Sequence, residues 1–399
     1  MIRGGLAVLL LAIAVAGCGG GGDGKDRTSS GGTTKSQPVL GASGDDKQSS
    51  ETPPLGFPIF ATKNTTRVAG ADPIADAAGV ARAVYPARTD ESSPKSLVVV
   101  DQGDWRAAIS AAQLMARPLR APMLFSDGGD MPAASEEALQ ELAPSGASLI
   151  DGAQVIRVGD AAARPDKRRL KDIAGASSTS LAAAIDKLQT QVVGDASRDV
   201  LVAPADSQEF ALPAAGWAAR SGDPVLWTPR DSLPPETKAA IEAHKKPRIY
   251  VLGPAEAISD KVVRELAKLG RTKRISGPDP IQNAIAFARF SDGAFGWNVI
   301  DPGHGLVFVN ESRPLDAPAA AALSGSGQYG PMLLVQEADA LPNPVQEYLL
   351  DIQPGYDKDP VRGVYNHGWL MGDESAISGD VQSRIDALLE IQPVDTGGQ

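Results

Sequence analysis

One cysteine in 399 residues excludes an intrachain disulfide, a cysteine-based metal site and any Cys-x-x-Cys redox motif. The three histidines, His244, His304 and His367, are about 60 residues apart, and none has a metal-like partner at i+3 or i+4. No Gly-x-Ser-x-Gly elbow and no Walker-type phosphate loop occurs. Ser92-x-x-Lys95 matches a Ser-Lys pair in letters only, in a loop ahead of a strand. Gly325-Ser326-Gly327-Gln328-Tyr329-Gly330 fits G-x-G-x-x-G, but it follows a helical stretch and precedes a strand, the reverse of a dinucleotide site. Net charge is −11, from 38 Lys+Arg against 49 Asp+Glu, and this argues against nucleic acid as the main partner. Neither a catalytic centre, a metal nor a cofactor is therefore expected. Asp101 with Asp104 and Asp72 with Asp76 are acid pairs that read as helix caps or solvated groups.

Aromatic residues make up only 5% of the chain, while apolar residues reach 42%, which suits Ala-rich helices packed closely on sheets. The longest apolar run, Leu6–Val15, is about ten residues and too short to span a bilayer comfortably. It follows Arg3 and ends in Val15-Ala16-Gly17-Cys18, so residues 1–17 read as a signal peptide. Small residues just before a cysteine resemble the bacterial lipobox. That resemblance implies a lipid-carrying Cys18 at the new N-terminus and a membrane anchor on the extracytoplasmic face. A diacylated, N-acylated cysteine buries enough methylenes to hold firmly. Residues 18–58 then have almost no apolar content and cannot offset their ordering entropy, so they read as a disordered tether. Forty such residues span about 35 Å.

The body repeats. Arg67-Val68-Ala69-Gly70-Ala71-Asp72-Pro73-Ile74, Asp172-Ile173-Ala174-Gly175-Ala176-Ser177 and Arg274-Ile275-Ser276-Gly277-Pro278-Asp279-Pro280-Ile281 open alike, their glycines 105 and 102 residues apart. Asp72 and Asp279 read as N-caps with proline at the first helical position. After each opening come a helix, an apolar strand (Leu97–Asp101, Val200–Ala203, Leu306–Val309), an Ala-rich helix, a second strand, a polar helix and a third strand ending in Gly159, Gly253 or Gly372. Ser259 and Ser378 stand where caps of the last helices belong. Alternation of strand and helix implies parallel sheets with right-handed crossovers. Modules over residues 59–165, 166–270 and 271–399 follow. The first and second run into the next opening, while the third has none after it. This predicts that strand 66–69 completes the third module and closes a ring.

These openings, the Val-rich strand, the Ala-rich helix and the closing Val-Gly-Asp or Leu-Gly-Pro resemble the cell wall-binding repeat 2 (CWB2) family, over about residues 64 to 391. Its pattern runs roughly R-[IV]-x-G-x-D-R-[YF]-x-T, then a D-A-L helix, then V-[IV]-G-G. The motif positions kept here are Gly70, Asp72, Gly175, Gly277, Asp279 and Asp316. The family's Thr is Asp76 in the first copy, and D-A-L is Ala107-Ala108-Ile109, Phe210-Ala211-Leu212 or Asp316-Ala317-Pro318. The resemblance implies an α/β fold of three tandem Rossmann-like or Toprim-like modules around a pseudo-threefold axis. It also implies non-catalytic, non-covalent binding of an anionic cell-wall polymer. Such a polymer needs cations, and two basic runs lie just ahead of an opening: Lys167-Arg168-Arg169 and Arg271-x-Lys273-Arg274. Arg67 occupies the comparable place in the first copy. The alternative reading is a solute-binding lipoprotein of a transporter, which would require two lobes about one cleft.

Overall fold

The computed structural model describes residues 59–89, 91–327 and 329–394. Cys18, the signal peptide and the tether lie outside the described residues, as does Gln328 of the G-x-G-x-x-G run.

The first copy contains β1 (Ile59–Ala61), β2 (Thr65–Val68), α1 (Pro73–Val84), β3 (Leu97–Asp101), α2 (Trp105–Ala111), β4 (Met123–Ser126), α3 (Ala133–Leu142) and β5 (Val155–Val158). A 3₁₀ turn, Ala112–Met115, continues α2. The second has β6 (Leu170–Ile173), α4 (Ser178–Val193), β7 (Asp199–Pro204), α5 (Gln208–Ala211), α6 (Pro213–Ser221), β8 (Val225–Thr228), α7 (Pro235–Ala243), β9 (Arg248–Leu252) and α8 (Asp260–Leu266). The third has β10 (Arg271–Ile275), α9 (Pro280–Arg289), β11 (Gly305–Asn310), α10 (Asp316–Gly325), β12 (Met332–Val335), α11 (Asn343–Asp351), β13 (Gly355–Tyr356), β14 (His367–Met371), α12 (Gly379–Leu389) and β15 (Gln392–Pro393). Pro213 splits the Ala-rich helix of the second copy into α5 and α6, because its ring nitrogen has no N–H to donate to the preceding turn.

Capping follows the sequence at most ends. Asp72 accepts from Ala75 N at 2.8 Å, Asp279 from Gln282 N at 2.7 Å and Ser378 from Val381 N at 3.2 Å. Ser259 departs from this: it holds the cap position of α8, but its buried hydroxyl has no hydrogen-bond partner.

The strands form parallel sheets in the orders β4-β3-β5-β6, β8-β7-β9-β10 and β12-β11-β14-β2, the last extended by β1 antiparallel to β2. The opening strand of each copy therefore completes the sheet of another copy. β6 pairs with β5, β10 with β9, and β2 with β14 across about 300 residues of sequence, Gly368 opposite Thr65 and Met371 opposite Val68. The expected closure of the ring is present. Gly159, Gly253 and Gly372 end the third strands with φ of 83°, 114° and 83°, a left-handed turn that glycine adopts without a steric cost. Each donates its N–H to the last carbonyl of the adjoining opening strand, at 2.9, 2.8 and 3.0 Å.

After its opening strand, each chain segment crosses to its own sheet. α1 packs beside β4, α4 beside β8 and α9 beside β12. The equivalent helices α2 with its 3₁₀ extension, α6 and α10 each touch the other two, which sets three modules about a pseudo-threefold axis. Small residues allow that approach: a β-carbon on Gly325 would come within 2.7 Å of the Ala219 carbonyl, and one on Gly216 within 2.8 Å of Ser324 Oγ. The strands are buried on both faces, Val98 and Val100 toward the core shared by all three modules and Leu97 and Val99 toward α1 and α3.

Candidate functional site

The opening motif builds the junctions between modules. Gly70, Gly175 and Gly277 each lie against the helix start six residues later. A β-carbon would stand 2.5 Å from Asp76 N, 2.5 Å from Leu181 N or 2.3 Å from Asn283 N. The side chain at that sixth position accepts the glycine N–H where it can: Asp76 Oδ1 from Gly70 at 2.7 Å and Asn283 Oδ1 from Gly277 at 3.3 Å.

These sixth positions meet the D-A-L position of the module they lean on. Asn283 donates to the Phe210 carbonyl at 3.4 Å. Asp76 faces Asp316 across the ring closure, and both are fully buried. Arg313 bridges them, NH2 2.7 Å from Asp76 and Nε 2.8 Å from Asp316, with Asp373 3.7 Å away. Burial, then repulsion from Asp316, pushes the Asp76 carboxyl up to about 8. Burial raises Asp316 to about 6 against the pull of Arg313. One guanidinium thus serves two acids, and burial favours the protonated form of both.

Arg67 is a correction to the sequence reading. It is 2% exposed, and its guanidinium donates to the carbonyls of Gly372 at 2.9 Å, Asp373 at 3.0 Å and Ser378 at 3.4 Å, and to Gln382 at 2.9 Å. It clamps the loop after β14 and leaves nothing for a polymer. Arg274 does the same after β9, donating to Gly253 O at 2.7 Å and Ile258 O at 2.8 Å, and pairing with Asp260. In the second copy the opening residue is Asp172. Arg157, directly opposite it on β5, takes over the clamp through the carbonyls of Asp160 and Ala162.

The other predicted cations are not brought together. Lys167 is exposed and Arg168 half-buried, ahead of β6. Arg169 lies across the Gly146 and Gly152 backbone, where a β-carbon on either would come within 3.1 Å of its guanidinium. Arg271 and Lys273 stand on β10, the edge of the second sheet, near Asp292 at 3.9 and 2.8 Å. Arg271 is in register with Arg248, which lines a cleft of about 810 Å³ with Arg198, Lys245 and Lys246. Sequence reasoning missed these four because Lys245, Lys246 and Arg248 form a short run that stands away from any opening motif, and Arg198 comes from a separate segment 47 residues earlier. Arg313 and Arg157 were missed because they too stand away from any opening motif. Six cations against Asp195, Asp199 and Asp292 leave this surface positive.

His244 is held by Asp186 at 2.8 Å and the Ser197 carbonyl at 2.7 Å, and is a core strut. Ser92 bonds Thr89 rather than Lys95. No group of three or more metal-ligating side chains occurs among the described residues.

Three parallel α/β units exchange their opening strands and close into a ring. The family model of Cell wall binding domain 2 (CWB2) matches residues 172–263, from the opening strand β6 into α8. The "Amidase enhancer" of Bacillus subtilis (strain 168) is 25% identical over 231 residues, which is 58% of this chain and 30% of that protein. The chain thus spans under a third of that relative. Cwp8 and Cwp6 from Clostridium difficile share the fold, each with a TM-score of 0.63, at 15% and 16% identity. The matches cover 82% and 84% of this chain and 52% and 51% of theirs, about half.

Proposed function

We propose that this is a cell-envelope protein that holds an anionic cell-wall polymer non-covalently, without catalysis, while lipid on Cys18 fixes it to the membrane's outer face. The observation that carries this reading is the match of the second copy to a cell wall binding domain. The modules would be residues 59–165, 166–270 and 271–399. Polymer contacts fall to exposed cations on the sheet edges: Lys167, Arg168 and Arg169 by the first sheet, and Arg271 and Lys273 by the second. The latter adjoin Arg198, Lys245, Lys246 and Arg248. Guanidinium and ammonium groups on a rim suit a flexible polyanion, because contacts are added one by one and the charges stay solvated. A solute-binding lipoprotein needs two lobes about one cleft, and three modules around a common axis argue against it.

The test is sedimentation of the full chain with purified cell wall. Retention is expected at low salt, with release toward 1 M NaCl, where the screening length falls to about 3 Å. No retention at low salt overturns the reading. For the anchor, Cys18→Ala should move the protein from the detergent phase to the aqueous phase; unchanged partitioning removes the lipid from the proposal.

A further inference from the structure

A cavity of about 380 Å³ lies where the three central helices end, at the pseudo-threefold axis. Every module lines it: Arg117 and Arg120 from the first, Arg220 from the second, Ser326 and Tyr329 from the third. The size is that of a small-ligand site. Among the described residues no acidic side chain lines it, in a chain of net charge −11. Among the described residues, Arg117, Arg120 and Arg220 have no carboxylate partner.

The arginines are positioned by their backbones. The Arg117 carbonyl accepts from Gln189 at 2.9 Å. Arg120 has φ of 50°, its N–H donates to Ala116 O at 2.9 Å, and its carbonyl accepts from Tyr85. The Arg220 guanidinium lies 3.9 Å over the Tyr329 ring. Compensation of helix dipoles does not account for them. The C-termini of α1, of the 3₁₀ extension of α2, of α6 and of α10 bring about −0.5 each, roughly −2 in all, and three guanidiniums exceed that by about one charge. Other clefts differ in this respect. The one bounded by Gln208 and Ser375 is lined by Glu209, Glu311 and Glu337, and the cleft of Arg198 and Arg248 includes Asp195.

We infer that the axial cavity is an oxyanion seat, formed by Arg117, Arg120 and Arg220, for a phosphate or carboxylate group carried on a polyol or sugar chain. The planar guanidinium matches either group with paired hydrogen bonds. A seat on the axis is unique in the molecule, unlike the edge cations, so it would set where along a chain the ring stops. The inference rests on the wall-binding reading only for the origin of that chain.

The experiment measures binding of the full chain to poly(glycerol phosphate) and, separately, to polygalacturonate by titration calorimetry. The two probes distinguish phosphodiester from carboxylate. At least one should bind, and Arg117→Ala/Arg120→Ala/Arg220→Ala should weaken it by tenfold or more, since hydrogen bonds to a charged group are stronger than those between neutral groups. All three side chains are exposed. If the triple variant fails to melt cooperatively, Arg120→Gln and Arg220→Gln singly should each weaken binding several-fold. Equal affinity in wild type and variants, or no binding of either probe by wild type, overturns the inference. Wild type that binds a probe through these arginines but does not sediment with wall leaves the seat standing and removes the wall-binding reading. Unchanged wall retention and probe binding in the triple variant do the reverse.

Discussion

Asp76, Asp316 and Arg313 show how far a motif residue can be redirected. Asp76 stands where the family pattern has Thr, and it keeps the acceptor role toward the Gly70 N–H. Its second oxygen places a carboxyl at a fully buried position, which Arg313 offsets at 2.7 Å. Because both acids hold protons above their ordinary value of 3.8, the folded chain binds more protons than the unfolded one from about pH 4 to about pH 8. The stability from this junction is fully present below the unfolded value and is lost as pH rises toward 8. Urea midpoints are expected to fall between pH 5 and pH 9, and Asp316→Asn should flatten that slope. Arg313→Ala leaves two buried acids without a cation and should cost about 3 kcal/mol, read from the same midpoints. The sequence showed Asp76 and Asp316 separately. Their meeting was hidden by the 240 residues between them, and Arg313 by its lack of any motif.

At the scale of the element, the opening strand with its glycine is the unit that matters. The strand pairs with one sheet and the helix after it docks on another, so the glycine must let the chain turn back against the helix start. Gly277→Ala places a methyl 2.3 Å from Asn283 N, an approach that backbone cannot relieve by a rotamer change. It should cost about 1–3 kcal/mol and loosen β10 and α9 together. Hydrogen exchange would show both elements losing protection; loss confined to α9 would contradict the coupling. Most elements were legible because buried parallel strands and Ala-rich helices carry distinct patterns. The break at Leu212-Pro213 and the small β13–β15 pair were not, the latter because two-residue strands have no period to read.

For the whole molecule, closure makes the N-terminal strand a part of the third module. Removing residues 59–70 deletes β1 and β2, takes away Arg67 and exposes β14 as a free edge. The expected outcome is loss of protection in β14 and α12 at the far end of the sequence, with β3, β4 and β5 still protected. Hydrogen exchange or limited proteolysis followed by mass analysis would check this, and aggregation through the bared edge is the expected side effect. Fraying that starts in β3–β5 would show that the strand belongs instead to the module that follows it in sequence.

Composition, the single cysteine's place and the threefold recurrence are local or periodic properties, and a linear reading reaches them. It reached the α/β class, the exchange of opening strands and the ring for that reason. The fate of charged side chains is set by what packs against them from remote segments. Only the tertiary structure took Arg67 into a loop clamp, moved the same task from Asp172 to Arg157, brought Asp76 against Asp316, and gathered Arg117, Arg120 and Arg220 around the axis. Burial and charge pairing depend on distances between residues far apart in sequence, and those distances exist only once the ring has closed.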